Sequence, residues 1–143
     1  MEQMILKNYW KSWIRMSKDI KSQLYTFKAK CVRVIDGDTI EIDLDLGFRM
    51  KKEKEKVRLL NVDTPERRQN NYEEAKKFTI ECVEGKDIYV QTYKSDNFSR
   101  FLANVYYETG NEVRCLNDDL KARGLIKENS QWNKFGEERD NIF

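Results

Sequence analysis

The sequence predicts an α+β fold in which a small closed β-barrel carries packed helices and follows a separate N-terminal helix. Two patterns support this prediction. From Lys28 onwards, short segments alternate apolar and polar residues, which is typical of strands with one buried face. Two later stretches instead have apolar residues at helical spacing. With 143 residues, 39% of them hydrophobic, the chain can form one modest domain and a short appendage.

Five strands are predicted, and with two helices they follow the order β-β-β-α-β-β-α. The expected strands are 30–35, 39–46, 57–62, 87–93 and 101–107. The first two form a hairpin through the turn Asp36-Gly37-Asp38. The charged segment 47–56 has no buried periodicity and is expected to be a loop. Five short strands around one core indicate a five-stranded barrel of the OB type with packed α-helices.

The two helices of the main domain have recognisable ends. The first is expected at 71–84, where Asn71 and Glu74 resemble a capping box and Gly85 suits the position after a helix. The second is expected at 116–123 and ends before a glycine. Both would pack at the side or the base of the barrel.

A basic amphipathic helix is predicted before the main domain, so the chain divides into residues 1–27 and 28–143. Wound as a helix, residues 5–24 place Trp10, Trp13 and the other apolar side chains within an arc of roughly 140°, opposite five Lys or Arg. We expect the apolar face to pack on the domain or on a partner chain. The alternatives are attachment to an anionic membrane surface and electrostatic contact with nucleic acid.

Composition excludes several classes of active site. The chain has no histidine, which removes Ser-His and Cys-His nucleophiles and the zinc sites that need imidazole. Its three cysteines, Cys31, Cys82 and Cys115, are never spaced as C-x-x-C, so neither a disulfide framework nor a thiolate metal site is indicated. Catalysis would therefore depend on carboxylates, arginines, lysines or a bound metal.

The net charge of +2 conceals an uneven distribution. Residues 1–30 contain seven Lys or Arg and two acids, a net charge of +5, whereas the remainder contains 20 Lys or Arg and 23 acids, a net charge of −3. The main domain would therefore bind phosphate through a few placed arginines or a metal, not through a basic surface. No apolar run is long enough for a membrane span, and lysines and an arginine interrupt any secretory signal, so an intracellular protein is expected. We also expect a monomer.

Acidic and arginine side chains stand at the ends of the predicted strands. Asp38 follows a glycine turn, Asp63 and Glu66 follow the third strand, Arg58 lies within that strand, and Arg100 precedes the fifth. Each one alone could be an ordinary turn or surface residue. Together they suit metal-assisted phosphoryl transfer, because hard oxygen ligands hold a divalent cation and guanidinium groups match phosphate oxygens.

Three motifs occur in register along the chain. They are VIDGDT at 34–39, VRLLNVDTPE at 57–66 and DNFSRFLA at 96–103. Together they resemble the staphylococcal nuclease (thermonuclease) family, and the resemblance extends over residues 29–126. It implies an OB-type barrel that hydrolyses DNA, RNA or both with a bound Ca²⁺. In this family the 5′-oxygen leaves, and the products end in 3′-phosphate.

The resemblance also implies a set of metal ligands. Asp38 and Asp63 would donate carboxylate oxygens to Ca²⁺, and the backbone carbonyl of Thr64 would be a further ligand. Asp36, in the same turn as Asp38, would brace the turn without touching the metal. Calcium accepts several oxygens at loose geometry, which turns and strand ends can supply.

The implied catalytic residues are Arg58, Glu66 and Arg100. Glu66 would orient or deprotonate the attacking water, and the two arginines would hold the scissile phosphate. The motif before Arg100 departs from the family, since Phe98-Ser99 replaces the usual Tyr-Gly. This difference bears on the pose of Arg100 more than on its identity.

Two alternatives remain open from the sequence. The segment after residue 126 lacks the tyrosine pair that stacks the base in the family's type enzyme, and Trp132 would either supply stacking or simply pack. The whole domain could also be a non-catalytic OB-fold module that binds nucleic acid or a protein partner. Loss of the acids or arginines would favour such a module, and this chain keeps them.

Overall fold

A computed structural model describes residues 20–95 and 100–133 of the chain. Most of the predicted N-terminal helix 5–24 lies outside these residues, and its described end is helical for three residues before a turn leads into the first strand. The boundary between the appendage and the main domain therefore stays a prediction. In the described ranges, the structure has no helix that is both long and apolar enough to cross a membrane.

The described part of the chain forms six strands and two helices. The strands are β1 (Thr26–Asp36), β2 (Thr39–Gly47), β3 (Met50–Leu59), β4 (Asp87–Ser95), β5 (Phe101–Thr109) and β6 (Glu112–Cys115). The helices are α1 (Tyr72–Val83) and α2 (Leu116–Ala122).

Strands β1 to β5 close into a barrel. Their order in the sheet is β3-β2-β1-β4-β5-β6, and a parallel pairing of β3 with β5 closes the ring. In this pairing Val57 aligns with Phe101 and Leu59 with Ala103. The predicted α+β fold with a five-stranded barrel is confirmed. The short strand β6 was not predicted, because it is largely exposed and is formed by pairing with β5.

The barrel interior contains the apolar side chains of the predicted alternation. The large fully buried residues of the strands include Ile40, Ile42, Val57, Leu59, Ile88, Val90 and Val105. Helix α2 adds Leu116 and Leu120 to the same core. The three cysteines are free, as predicted, and burial raises the pKa of the Cys31 thiol to about 12, so this thiol stays protonated.

The prediction of a loop at 47–56 is wrong. β3 begins at Met50 and pairs antiparallel with β2, so that Lys51 lies opposite Asp45. This half of β3 is exposed on both faces as far as Lys54. It therefore has no buried face to create an alternating pattern, and ladder hydrogen bonds and cross-strand charge pairs hold it instead.

The predicted capping box of α1 is also wrong. Asn71 has a left-handed backbone with φ of 68°, and its side chain makes no capping hydrogen bond. A capping side chain needs an extended backbone at that position, and the loop before α1 arrives in another conformation. The other end of the helix is as predicted, since Gly85 follows it with φ of 73°.

Candidate active site

The turn between β1 and β2 presents Asp38 at one end of the barrel. Gly37 lies so close to its neighbours that an added Cβ would stand 3.0 Å from both Ala75 Cβ and Thr64 Oγ1. Thr79 in α1 donates a hydrogen bond of 2.8 Å to the Gly37 carbonyl. The turn is thus held between α1 and the loop after β3. These contacts fix the backbone from which the Asp38 side chain extends.

Asp36 braces the same turn. Its carboxylate accepts a hydrogen bond of 2.8 Å from the hydroxyl of Tyr72, the first residue of α1. That hydrogen bond is the main cause of a raised pKa of Tyr72. The phenol therefore stays protonated and keeps donating at neutral pH, and Asp36 is bonded within the turn and α1.

The guanidinium of Arg58 lies between the carboxylates of Asp38 and Asp63. Its Nη2 atom is 3.3 Å from Asp38 Oδ2 and 3.1 Å from Asp63 Oδ1. Its Nη1 atom donates to the backbone carbonyls of Leu59 and Val62. All three charged side chains are mostly buried, with 11% to 15% of their surface exposed. Strand β3 therefore places a cation where the turn and the following loop place two anions.

Neutral donors also hold Asp38. Thr39 Oγ1 donates a hydrogen bond of 2.9 Å to Oδ1, and the backbone N–H of Thr64 donates one of 3.0 Å to Oδ2. The backbone N–H of Leu59 donates a further hydrogen bond of 2.8 Å to the Asp38 carbonyl. Asp38 and Thr64 are 26 positions apart in sequence, and this contact makes them neighbours.

The segment 127–133, which follows α2, holds Asp63 from the other side. Ser130 Oγ donates a hydrogen bond of 2.6 Å to Asp63 Oδ2, and the Asp63 N–H donates one of 2.6 Å to Asn133 Oδ1. The backbone N–H of Lys127 donates to the Asp63 carbonyl at 2.7 Å. With Arg58 on Oδ1, each polar group of Asp63 has a partner, so its carboxylate has a defined orientation.

Glu66 lies three residues further along the same loop and faces solvent. Its side chain is 71% exposed, and its Oε1 atom is 3.1 Å from Nζ of Lys127. The Glu66 N–H donates a hydrogen bond of 2.7 Å to Gln69 Oε1, which closes a tight turn after it. Lys127 thus contacts both predicted acids of this loop, Asp63 through its backbone and Glu66 through its side chain.

Arg100 is partly buried and stands directly before β5. The parallel register places Leu102, two residues later, opposite Arg58. The two arginines therefore belong to the neighbouring strands that close the barrel. Residues 96–99, which contain the departure from the family motif, lie outside the described residues.

The predicted site residues differ in how directly the structure joins them. Direct contacts bring together Asp38, Arg58, Asp63 and Thr64. Glu66 is linked to this group through Lys127, which bonds both Asp63 and Glu66. For Arg100, the structure gives a position directly before β5, two residues from the position opposite Arg58.

The sequence did not predict that the segment 127–133 bonds to Asp63. Ser130 and Asn133 lie 67 and 70 positions after Asp63, and no local spacing signals a contact over that distance. The sequence of this segment is polar and has no regular pattern, which does not indicate where it packs. Trp132, for which stacking and packing were the alternatives, is 64% exposed and does not pack in the core.

The predicted ligands at this site are oxygen atoms, the kind of donor that a hard divalent cation takes. In the described residues no group of three or more His, Cys, Asp or Glu could hold a metal, and the predicted ligands are two carboxylates and a carbonyl. The two carboxylates converge on one nitrogen of Arg58, so a positive charge is already accommodated between them. The two carboxylates together carry a formal charge of −2, which exceeds the +1 of the arginine, so the group retains a negative charge that a cation could neutralise.

Comparison with known proteins agrees with this geometry. Residues 56–143, more than half of the chain, match the family model described as staphylococcal nuclease homologue. The chain belongs to the staphylococcal nuclease family. This family is generally one of metal-dependent nucleases. Arg58, Asp63, Glu66 and Arg100 lie within the matched residues, and Asp38 precedes them.

Individual relatives in the family have partial similarity to the chain. Two proteins named uncharacterized endonuclease, from Escherichia coli O157:H7 and Escherichia coli, are each 31% identical over 102 residues, or 71% of this chain and 58% of the relative. Protein ParB of Escherichia coli is 33% identical over 79 residues, or 55% of this chain and 41% of that protein. The chain thus spans less than two thirds of the length of these relatives.

Proposed function

We propose that this chain is a nuclease that hydrolyses phosphodiester bonds of DNA, RNA or both with the help of Ca²⁺. The observation that supports this most is the convergence of Asp38 and Asp63 on Arg58, two oxygen ligands beside a phosphate-binding group. The name of the two endonuclease relatives points to the same class of reaction. We also propose that the chain acts as a monomer and that residues 5–24 contact a membrane surface or a protein partner.

Asp38, Asp63 and the Thr64 carbonyl are the proposed cation ligands. A bound divalent cation supplies Lewis acidity and neutralises the charge that develops on the phosphate. The protein contributes by holding the ligands in place before substrate arrives. Asp38 is held by Thr39 and by the Thr64 N–H, and Asp63 is held by Ser130, so both carboxylates keep their orientation when a cation replaces the contact with Arg58.

Arg58 and Arg100 are the proposed phosphate ligands. A guanidinium is always charged and presents paired donors that match two phosphate oxygens. Arg58 donates hydrogen bonds to the Leu59 and Val62 carbonyls and to Asp63, and it forms an ion pair with Asp38, so its plane is fixed beside the carboxylates. Arg100 directly precedes β5, the strand that pairs in parallel with β3, and Leu102 lies opposite Arg58, which supports placing both arginines at the closing strands of the barrel.

Glu66 is the proposed acceptor of the proton of the attacking water. Its carboxylate is exposed, so water can reach it, and the ammonium of Lys127 contacts only Oε1 among the described contacts. The other oxygen remains available to a water molecule. Attack on phosphorus from this side would expel the 5′-oxygen and leave a 3′-phosphate.

Digestion of single-stranded DNA and RNA in Ca²⁺ and in EDTA tests this proposal. We expect cleavage in Ca²⁺ and none in EDTA. Glu66→Gln and Arg100→Ala should each lower the rate by about 10²–10³-fold while leaving the thermal unfolding unchanged. Glu53→Gln is a matched control, because Glu53 is an exposed acid on β3. Equal digestion in both buffers, no digestion at all, or a normal rate for Glu66→Gln would refute the proposal.

A further inference from the structure

The hairpin formed by β2 and β3 ends in a tight turn that exposes an aromatic side chain. Gly47 pairs with Met50, so Phe48 and Arg49 form the turn. Phe48 is 98% exposed and Met50 is 59% exposed. A single exposed apolar residue is ordinary, but neighbouring ones form a patch that marks an interaction surface. Residues 47–51 are called the hairpin tip below.

The residues of this turn do not suit its backbone. Phe48 and Arg49 have positive φ angles of 53° and 63°. A two-residue hairpin turn with both φ angles positive favours Asn, Asp or Gly, because other side chains crowd their own backbone there. Contacts do not compensate, since Phe48 is almost fully exposed and, within the described residues, the Arg49 side chain makes no hydrogen bond or ion pair. Such local conflicts are expected where a segment binds something.

A second group of exposed apolar side chains lies at the same end of the barrel. Ile20, Leu24 and Tyr25, which come just before β1, are 52% to 61% exposed. The antiparallel ladder between β1 and β2 brings the start of β1 beside the end of β2. The two exposed groups therefore lie at the same end of neighbouring strands.

The exposure of Ile20 and Leu24 also bears on the predicted helix 5–24. Both residues belong to its apolar face, which we expected to pack on the domain or on a partner chain. Both are more than half exposed, so the described end of this face does not pack on the barrel. The remainder of the predicted helix lies outside the described residues. The described end of the face is thus available to a surface outside the chain.

Cations surround both apolar groups. Residues 20–28 and 45–51 contain four Lys or Arg and one acid, a net charge of +3. All four cations are exposed. The acid, Asp45, lies opposite Lys28 in one ladder and opposite Lys51 in the other, so it is flanked by positive charge. This end of the barrel therefore attracts an anionic surface.

A membrane surface fits this composition better than another protein or a nucleic acid. The cores of protein interfaces are depleted of lysine, whereas lysine and arginine flank the apolar side chains of elements that bind at membrane surfaces. A nucleic acid would engage the cations and could stack on Phe48, but it would leave Met50, Ile20 and Leu24 in water. The boundary between lipid headgroups and acyl chains accepts both kinds of side chain.

We propose that the hairpin tip, together with the residues just before β1, docks this chain on an anionic lipid surface. Phe48 and Met50 enter the boundary between headgroups and acyl chains, and Arg49 and Lys51 contact the lipid phosphates. The inference goes beyond the proposed function, because it needs no catalysis. Of the two partners proposed for residues 5–24, it selects the membrane and adds a second element that contacts it.

The hairpin tip and the candidate active site lie at opposite ends of β2. Thr39, at the start of β2, pairs with Arg58, and Gly47, at its end, pairs with Met50. At about 3.3 Å per residue, the strand between them spans about 25 Å. A docked chain therefore keeps its acids away from the lipid. Substitutions at the tip should leave hydrolysis of a soluble substrate unchanged.

Single substitutions at the tip test the docking without altering the core. Phe48→Asn removes the aromatic group and suits a positive φ, so it should not lower thermal stability. Arg49→Gln removes one charge. Val113→Thr is the control for the first, because Val113 is exposed by 57% on β6. Arg68→Gln is the control for the second, because Arg68 is exposed and also has a positive φ, 78°.

Co-sedimentation of the full chain with vesicles measures docking. We expect the wild type to bind vesicles of phosphatidylglycerol and phosphatidylcholine, and to bind pure phosphatidylcholine far more weakly. Phe48→Asn should weaken binding by about tenfold and Arg49→Gln by about fivefold, whereas both controls bind as the wild type does. Absence of wild-type binding to anionic vesicles would overturn the inference. Wild-type binding by both tip variants would also overturn it and would leave residues 5–24 as the membrane contact.

Quenching by brominated lipids shows which part of the chain enters the bilayer. Phe48→Trp and Val113→Trp each add one tryptophan to the three in the chain. Their difference from the wild type therefore reports the added residue alone. We expect anionic vesicles with brominated acyl chains to quench the tryptophan at position 48 and not the one at position 113. Equal quenching at the two positions would overturn the inference.

The other occupants are tested without lipid. Self-association or oligonucleotide binding that Phe48→Asn abolishes, with vesicle binding unchanged, would overturn the inference in favour of a second copy or a nucleic acid. Cleavage of a single-stranded oligonucleotide in Ca²⁺ is measured separately for the wild type and the tip variants. Its absence from the wild type would refute the nuclease proposal and would leave the vesicle results standing, so the two proposals fail independently.

Discussion

The hydroxyl of Ser130 donates a hydrogen bond of 2.6 Å to Oδ2 of Asp63, which lies 67 positions earlier in the chain. Arg58 donates a hydrogen bond to the other oxygen, Oδ1. Ser130 and Arg58 together therefore fix the rotation of the Asp63 carboxylate. The last described segment thus sets the orientation of a carboxylate in the loop after β3.

We predict that Ser130→Ala weakens Ca²⁺ binding by about tenfold, since it removes a hydrogen bond to a charged group that holds a proposed ligand. Ser130→Thr retains the hydroxyl and should restore most of the affinity. Calorimetric titration with Ca²⁺ measures this directly, without any substrate. Equal Ca²⁺ affinity of Ser130→Ala and the wild type would show that the contact is only structural.

We predict that Arg58→Gln lowers the free energy of unfolding in EDTA by about 3 kcal/mol, because two mostly buried carboxylates lose their cation. Ca²⁺ should then stabilise the variant more than it stabilises the wild type, since the guanidinium no longer competes for the same oxygens. Thermal unfolding with and without Ca²⁺ measures both effects. Arg33→Gln is the control, because the Arg33 side chain in its ion pair with Glu41 is 58% exposed and solvent screens the pair. A smaller Ca²⁺ effect on Arg58→Gln than on the wild type would contradict the competition.

Gly37→Ala should destabilise the fold by about 1–3 kcal/mol and should also weaken Ca²⁺ binding. The added Cβ would lie 3.0 Å from two atoms of α1 and of the loop after β3, so the turn that presents Asp38 must move. Gly110→Ala separates this effect from backbone strain, because Gly110 has φ of 62° and open space around it. Urea unfolding and Ca²⁺ titration measure the two effects. Normal Ca²⁺ affinity in Gly37→Ala would mean that the turn does not position Asp38.

Acid should weaken the fold partly through Asp119. Hydrogen bonds from Arg114 are the main cause of a pKa of Asp119 below its usual value. A lowered pKa in the folded state contributes stability that is present above the unfolded pKa of about 4 and is lost as pH falls through the folded pKa. Asp119→Asn should therefore be less stable than the wild type at neutral pH, and the difference should shrink in strong acid.

Urea unfolding of both proteins at pH values from about 7 down to about 2 measures this convergence. Asp118→Asn is the control, since Asp118 lies on the same helix but is largely exposed and 3.9 Å from Lys121. A difference between Asp119→Asn and the wild type that does not depend on pH would show that packing, and not charge, explains the loss.

The sequence was sufficient to predict a strand or a helix wherever buried apolar residues recur at a regular spacing of a few positions. The alternation around Ile40 and Ile42 and the glycine after α1 identify their elements, because each signal lies within a few residues of the structure that it predicts. The exposed half of β3 and the left-handed Asn71 escaped prediction for the opposite reason. The exposed half of β3 is determined by its pairing with β2, and the conformation of Asn71 is determined by the loop that precedes α1.

For the candidate site, the amino-acid sequence was enough to predict the barrel and to predict that Asp38, Arg58 and Asp63 belong to one site, because motifs and their order are read directly from the sequence. It did not reveal that Arg58 lies between the two carboxylates, nor that Ser130 completes Asp63. Those relationships arise when the barrel closes and the chain after α2 returns to β3. Contacts between segments far apart in the chain have no local pattern, so the folded structure was needed to establish them.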